Sequence, residues 1–299
     1  MLALRSLSAA RYLIRGAICL LLVAALWCPM PAAAALDKQI VTVAMQNGLL
    51  VATFTDRADD ASLEAAVPEL AALGVQAISL RGTPVRDMSP LSVLKQLKTL
   101  DICGTLVRSV APLAGVSGLK ALNLQFLPIG DLTPLSGLTD LETLNLGGTE
   151  VRDLTPLKSL TKLRQLVLAV TKVSDLTVLA GMREMTTLDL GSTWVADVRP
   201  LAGMSSLRFL SLNGTPVDDA RPLRGLTSLR ELNLVGTQIR DIAPLAQLNQ
   251  LEILDLEGTP VSDIKSLAGL KSLRALNLGG SRVTDVSALS AMTGLTIRR

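Results

Sequence analysis

The 299-residue sequence has no histidine and almost no aromatic side chains: three Phe, two Trp and one Tyr. Without imidazole, the commonest general base near neutral pH and the commonest nitrogen ligand for zinc or copper are both missing, which sets aside whole classes of hydrolases and metalloenzymes. Without rings, the core must be aliphatic, because hydrophobic residues still make up 49% of the chain. Thin repeated layers suit such a core better than one large globule. Cysteine is scarce as well. Cys19 and Cys28 lie in a segment expected to be removed, which leaves Cys103 with no intramolecular disulfide partner. The chain also lacks a Walker-type loop, a G-x-S-x-G elbow, a C-x-x-C pair and an H-E-x-x-H helix. No cofactor, metal site or catalytic residue is expected. Cys103, the one nucleophile left to weigh, stands next to Asp101, which would raise its pKa and leave it unactivated.

What is present begins with an export signal. Arg5, Arg11 and Arg15 form a positive n-region, residues 17–27 an apolar stretch, and Ala33-Ala34-Ala35 a small-residue cleavage motif, so residues 1–35 read as a signal peptide. The alternative is an N-terminal membrane anchor, but the apolar run is shorter than the roughly 20 residues a spanning helix needs, and Pro29 and Pro31 interrupt it. The product would be periplasmic or secreted, with no stable membrane span. Removing this segment takes away three arginines and leaves 26 basic and 26 acidic side chains. The pI of about 8.9 therefore belongs to the precursor and does not argue for a nucleic-acid partner.

From about Val75 the sequence repeats every 22 residues without insertion or deletion, in ten units marked by Gly-Thr at Gly82-Thr83, Gly104-Thr105, Gly148-Thr149, Gly214-Thr215, Gly236-Thr237 and Gly258-Thr259. In the unit 229–248, Leu232 and Leu234 alternate as on a short strand; Ile239, Ile242, Leu245 and Leu248 then recur every three residues, the spacing of a tight 3₁₀-like segment. One such unit cannot cover its own leucines, so the units must stack. The strand leucines, the Val/Ile two places after Thr, the Asp-hydrophobic-x-Pro-Leu stretch and the closing Leu-Thr resemble the leucine-rich-repeat family, and within it the 22-residue internalin-like class of bacterial exported proteins. The resemblance covers roughly residues 75–297, within a repeat domain expected over residues 75–299. It implies an α/β repeat solenoid, an arc with a parallel concave β-sheet and 3₁₀-like convex segments, used for binding. Thr stands where that family usually has Asn, and its hydroxyls are expected to satisfy buried turn amides. The recurrent Asp, from Asp87 to Asp285, is read as the cap of each 3₁₀ turn rather than as a metal ligand.

Residues 36–74 do not fit the repeat. They predict a cap made of a β-hairpin around Asn47-Gly48 and a helix over 60–73 stopped by Gly74. Internalins carry a helical cap there, so the hairpin is a departure. At the other end Arg298 falls where the next strand leucine is due, in an incomplete eleventh unit.

For function, the polar column between the strand leucines, from Ser79 to Asn277, reads chiefly as a structural ladder. The sharper candidates are residues that break a column: Phe126, Val167, Trp194 and Phe209, with Phe126 expected to turn inward. A second group is acidic, Glu231, Asp255 and Glu257, opposed by Arg81, Arg86 and Arg108 near the first units. These residues predict an exported binding scaffold with a protein or glycan partner, and no enzyme. The alternative is a secreted effector acting on a host-cell protein. Oligomeric state leaves no mark in the sequence.

Overall fold

A computed structural model describes residues 36–299; the signal segment expected over residues 1–35 lies outside them. The chain opens with the antiparallel strands β1 (Val41–Gln46) and β2 (Leu49–Phe54). Asn47 and Gly48 between them both have positive φ, 49° and 79°, as a type I′ turn requires. Helix α1 (Asp60–Ala72) follows. The Asp59 carboxylate caps it, accepting from the Ser62 amide and hydroxyl at 2.9 and 2.6 Å, and Gly74 ends it at φ 71°. Asp60 also accepts the amides of Arg86 and Asp87, which fastens the helix to the first repeat loop.

Ten three-residue strands come next, from β3 (Ala77–Ser79) to β12 (Ala275–Asn277), and then β13 (Thr296–Arg298). All 13 strands form one sheet in chain order, and every pair after the first is parallel. From β3 to β12 each residue faces the one 22 places on, for example Leu232 with Leu254 and Glu231 with Ile253. Leu232, Leu234, Ile239, Ile242, Leu245 and Leu248 are at most 1% exposed. Each is stabilised by roughly 1.5–3 kcal/mol through burial that a lone unit could not provide, so the stacked neighbours are part of every repeat's core. The return leg is a short 3₁₀ segment, as at Ala243–Gln247, with Pro near its start where the missing N–H would have had no partner.

Two polar columns tie the turns together. In nine repeats the Asp before the 3₁₀ segment accepts the amide two residues on, from Ser89 N to Asp87 at 2.8 Å through Ser287 N to Asp285 at 2.8 Å. Ser109 does the same for Ala111. These carboxylates are caps. The Thr column works differently from the expectation. Each threonine hydroxyl donates to the carbonyl three residues back, as Thr83 to Leu80 and Thr237 to Leu234, both at 2.8 Å, and only Ser281, in the same column, accepts a turn amide, that of Val283 at 3.4 Å. The carbonyl at the strand end is thereby doubly used, because it also accepts the threonine's own N–H.

The last strand also differs. β12 pairs with β13 at a spacing of 21, so Ile297 sits opposite Leu276 and packs on the core, while Arg298 faces Asn277. A one-residue slip puts the aliphatic side chain in the leucine layer and moves the arginine out, since burying an unpaired guanidinium would cost far more than the shortened turn.

Candidate binding surface

Three side-chain columns line the concave face: the first residue of each strand, its last residue in the middle, and the second residue beyond the strand's end, as Glu231, Asn233 and Val235. In the middle column, Asp or Asn Oδ1 accepts the amide two residues on, as at Asp101–Cys103 (2.9 Å), Asn145–Gly147 (3.0 Å), Asn233–Val235 (3.0 Å), Asp255–Glu257 (3.0 Å) and Asn277–Gly279 (3.1 Å). These bonds supply what the Thr column does not, and they make the column a ladder serving the backbone. Asp101 is 5% exposed, and burial raises its pKa against the opposing pull of the Cys103 amide and the Arg81 charge. Where the hairpin tip overhangs the sheet, Gln46, Asn47, Thr99, Ala121 and Thr143 border a recess of about 210 Å³.

The column-breaking residues fall in different places. Val167 is buried at 6% in the middle column, beside Gly147. Phe209 is half-buried on the concave face, in register between Thr187 and Glu231. Phe126 turns outward and is 63% exposed, contrary to the sequence expectation. The reason is its backbone: it occupies the glycine position of the turn at φ 64°, and Leu127 beside it, in the Thr position, is the residue that goes inside at 1% exposure. The Phe126 ring lies on Gly148, so close that a Cβ added there would stand 2.5 Å from ring Cδ1. Val170 repeats this geometry two units on, at φ 61° and 58% exposure. Trp194 is 58% exposed, with the Arg152 guanidinium 5.7 Å from its ring centroid.

These positions form a pattern that single residues do not reveal. The exposed large hydrophobic residues of the described chain are Met45, Val93, Leu106, Phe126, Val170 and Trp194. The last four all stand in the turns that leave the strands, on one rim, within five consecutive repeats. Sequence reasoning passed over Leu106; its signal was there, because Pro84, Pro128, Pro216 and Pro260 hold the same position elsewhere.

The acidic group is less open than its charges imply. Asn277 Nδ2 donates to Glu257 at 2.8 Å, and Asp255 caps the Glu257 amide. Glu231 stands in register between Phe209 and Ile253; burial raises its pKa, and repulsion from Glu252 adds to this. Cys103 is buried, and no group of three or more metal-ligating side chains occurs among the described residues. No described helix is long and apolar enough to cross a membrane.

A family model for leucine-rich repeats in two copies matches residues 205–247 and 227–269. No curated protein matches the chain. Among solved structures, an internalin of Listeria monocytogenes, InlF, superposes with a TM-score of 0.74 at 29% identity, covering 80% of this chain and 70% of that one. Internalin C2 of the same species gives 0.57 at 28% identity, over 69% and 83%. The plant peptide hormone receptor RGFR1, solved in complex with RGF2, gives 0.66 at 18% identity over 77% and 40%, a likeness of fold alone.

Proposed function

Because the chain belongs to the leucine-rich-repeat family, with repeats of the internalin class, we propose that it is an exported scaffold that binds a protein partner through its concave face and the rim where the strands end. The observation that carries this reading is the gathering of Leu106, Phe126, Val170 and Trp194 on that one rim. Phe126 and Val170 hold left-handed backbone that costs a non-glycine residue about 1–2 kcal/mol, yet neither side chain is buried. Strain without burial is what a surface kept for contact would carry. Trp194 and Phe209 are the anchors, Trp194 on the rim and Phe209 on the adjoining floor. The recess under the hairpin takes a partner side chain, and Val167 forms an apolar part of the floor. Glu231, Asp255 and Glu257 orient a basic part of the partner at the far end. Catalysis plays no part in this reading. Export through residues 1–35 is supported by their charge and apolar pattern and agrees with the internalin likeness.

The test is capture of partners from the native secretome, comparing the unaltered protein with Trp194→Ala and Phe209→Ala. Loss of a common partner by about tenfold or more in either variant is expected for an interface anchor. Undiminished capture by both removes the proposed site.

A further inference from the structure

The opposite rim, where the strands begin, carries a different kind of surface. The residue before each strand donates its N–H to the carbonyl of its counterpart one repeat earlier, at 2.7–2.8 Å: Lys98 to Gln76, Lys120 to Lys98, Arg164 to Glu142, Arg208 to Thr186, Arg230 to Arg208 and Arg274 to Glu252. This continuous ladder sets six cations in one row with only Glu142 and Glu252 among them. With a rise of about 4.8 Å per strand, the row from Lys98 to Arg274 runs roughly 40 Å. Over the three solvent-facing positions ahead of these strands there are ten basic side chains and four acidic ones. The charge is a segregation, since residues 36–299 as a whole are balanced.

The four acids are each engaged by a cation: Lys120–Glu142 at 2.9 Å, Lys162–Asp140 at 2.7 Å, Arg164–Glu184 at 2.9 Å, and Arg230–Glu252. The remaining cations, Arg208 and Arg274 among them, form no ion pair among the described residues. Exposed pairs of this kind contribute about 0–1 kcal/mol, so the row is not explained by stability. Beside Arg208 a shallow pocket of about 320 Å³ is bordered by Arg164, Glu184, Thr186, Ser206 and Ser228. A guanidinium next to seryl hydroxyls offers the several donors that a sulfate or carboxylate oxyanion accepts.

We propose that this rim binds a linear anionic polysaccharide, with a sulfate or carboxylate group seated at Arg208, Ser206 and Ser228 and the chain running along the row of cations. The length and even spacing of the row fit an extended polyanion rather than a compact acidic protein. None of Phe54, Phe126, Trp194 and Phe209 stands in the row, so it provides no ring on which bases of a single-stranded nucleic acid would stack. None of the exposed large hydrophobic residues lies there either, so nothing would insert into a membrane. The row lies at the opposite strand ends from Leu106, Phe126, Val170 and Trp194; because Phe209 directly follows Arg208, Trp194→Ala is the variant that probes the protein-binding rim alone, so that each site can fail without the other.

The experiment uses protein expressed from the full sequence and purified as exported, titrated with heparin as the sulfated probe, polygalacturonate as the carboxylated probe, and single-stranded DNA as a polyanion of another class. Both polysaccharides, or one of them, are expected to bind, with affinity falling about tenfold or more between roughly 50 and 200 mM salt. The double variant Arg208→Glu with Arg274→Glu is expected to lose at least tenfold. Arg224→Glu with Arg240→Glu, the same charge change on the other faces, is expected to keep binding. Should the reversal disturb folding by thermal melting, Arg208→Gln with Arg274→Gln replaces it. The proposal is overturned by no polysaccharide binding at low salt, by equal losses in the two double variants, or by stronger binding of the DNA.

Discussion

At the scale of single residues the most informative position is Val170. A β-branched side chain at φ 61° stores strain of about 1–2 kcal/mol, while glycine in its place would cost about 0.5–1 kcal/mol in unfolded-chain entropy. Relief exceeds cost, so Val170→Gly is expected to stabilise the fold by about 0.5–1 kcal/mol. Val93, also exposed at 60% but without positive φ, is the control, and Val93→Gly should destabilise. Chemical denaturation measures both; a loss in both means that Val170 is not strained. Phe126 teaches the same lesson for sequence reading. An isolated aromatic in a leucine solenoid looks like core, yet its register in the glycine column was visible, and a left-handed turn aims its side chain away from the stack. The identity of the residue misled, and its column did not.

Individual elements show where local chemistry was legible and where it was not. The strands, the 3₁₀ segments and the Asp caps follow from spacing alone, because an Asp two residues before a free amide has one economical use. For Thr the residue type left open whether its hydroxyl would donate or accept, and only the geometry of the turn assigns it to the strand-end carbonyl. Thr237, fully buried, makes this testable. Thr237→Val keeps the shape and removes the bond, and should cost about 1 kcal/mol by denaturant titration, limited because the Leu234 carbonyl retains the residue-237 N–H. An unchanged midpoint would show that the hydroxyl bond adds nothing. The slip before β13 was likewise beyond sequence reading, since a strict period gives no reason to drop one residue until the burial of Arg298 is weighed.

For the whole molecule, the absence of histidine makes the pH dependence a carboxylate matter. Asp131, Asp153 and Asp175 are held below the ordinary carboxylate range, chiefly by hydrogen bonds from the Thr two residues on. Groups with a depressed folded pKa stabilise above their unfolded pKa and lose this as pH falls through the folded value. Burial raises Asp101 and Glu231, and for them the sign reverses: their protonation, above about pH 4, favours the native state. The melting temperature is therefore expected to rise slightly on mild acidification from neutral, peak, and fall below about pH 4. Glu231→Gln should diminish the rise by lifting stability at neutral pH. A monotonic decline from pH 7 downward would contradict the buried-acid account. The arc itself was fully readable from the 22-residue period. The opposed rims were not, because an aromatic here and an arginine there become a surface only once each is assigned to its edge.

From β3 to β12 the 22-residue register of the sheet is unbroken. Every site on this molecule is placed in whole strands, so the separation between two contact points is counted in steps of about 4.8 Å and cannot be tuned continuously. Gain or loss of one 22-residue unit would move one end of a bound chain by a single step while leaving both rims aligned. Reach in such a protein behaves as an integer, and selection on partner length would act by adding or deleting units rather than by reshaping them.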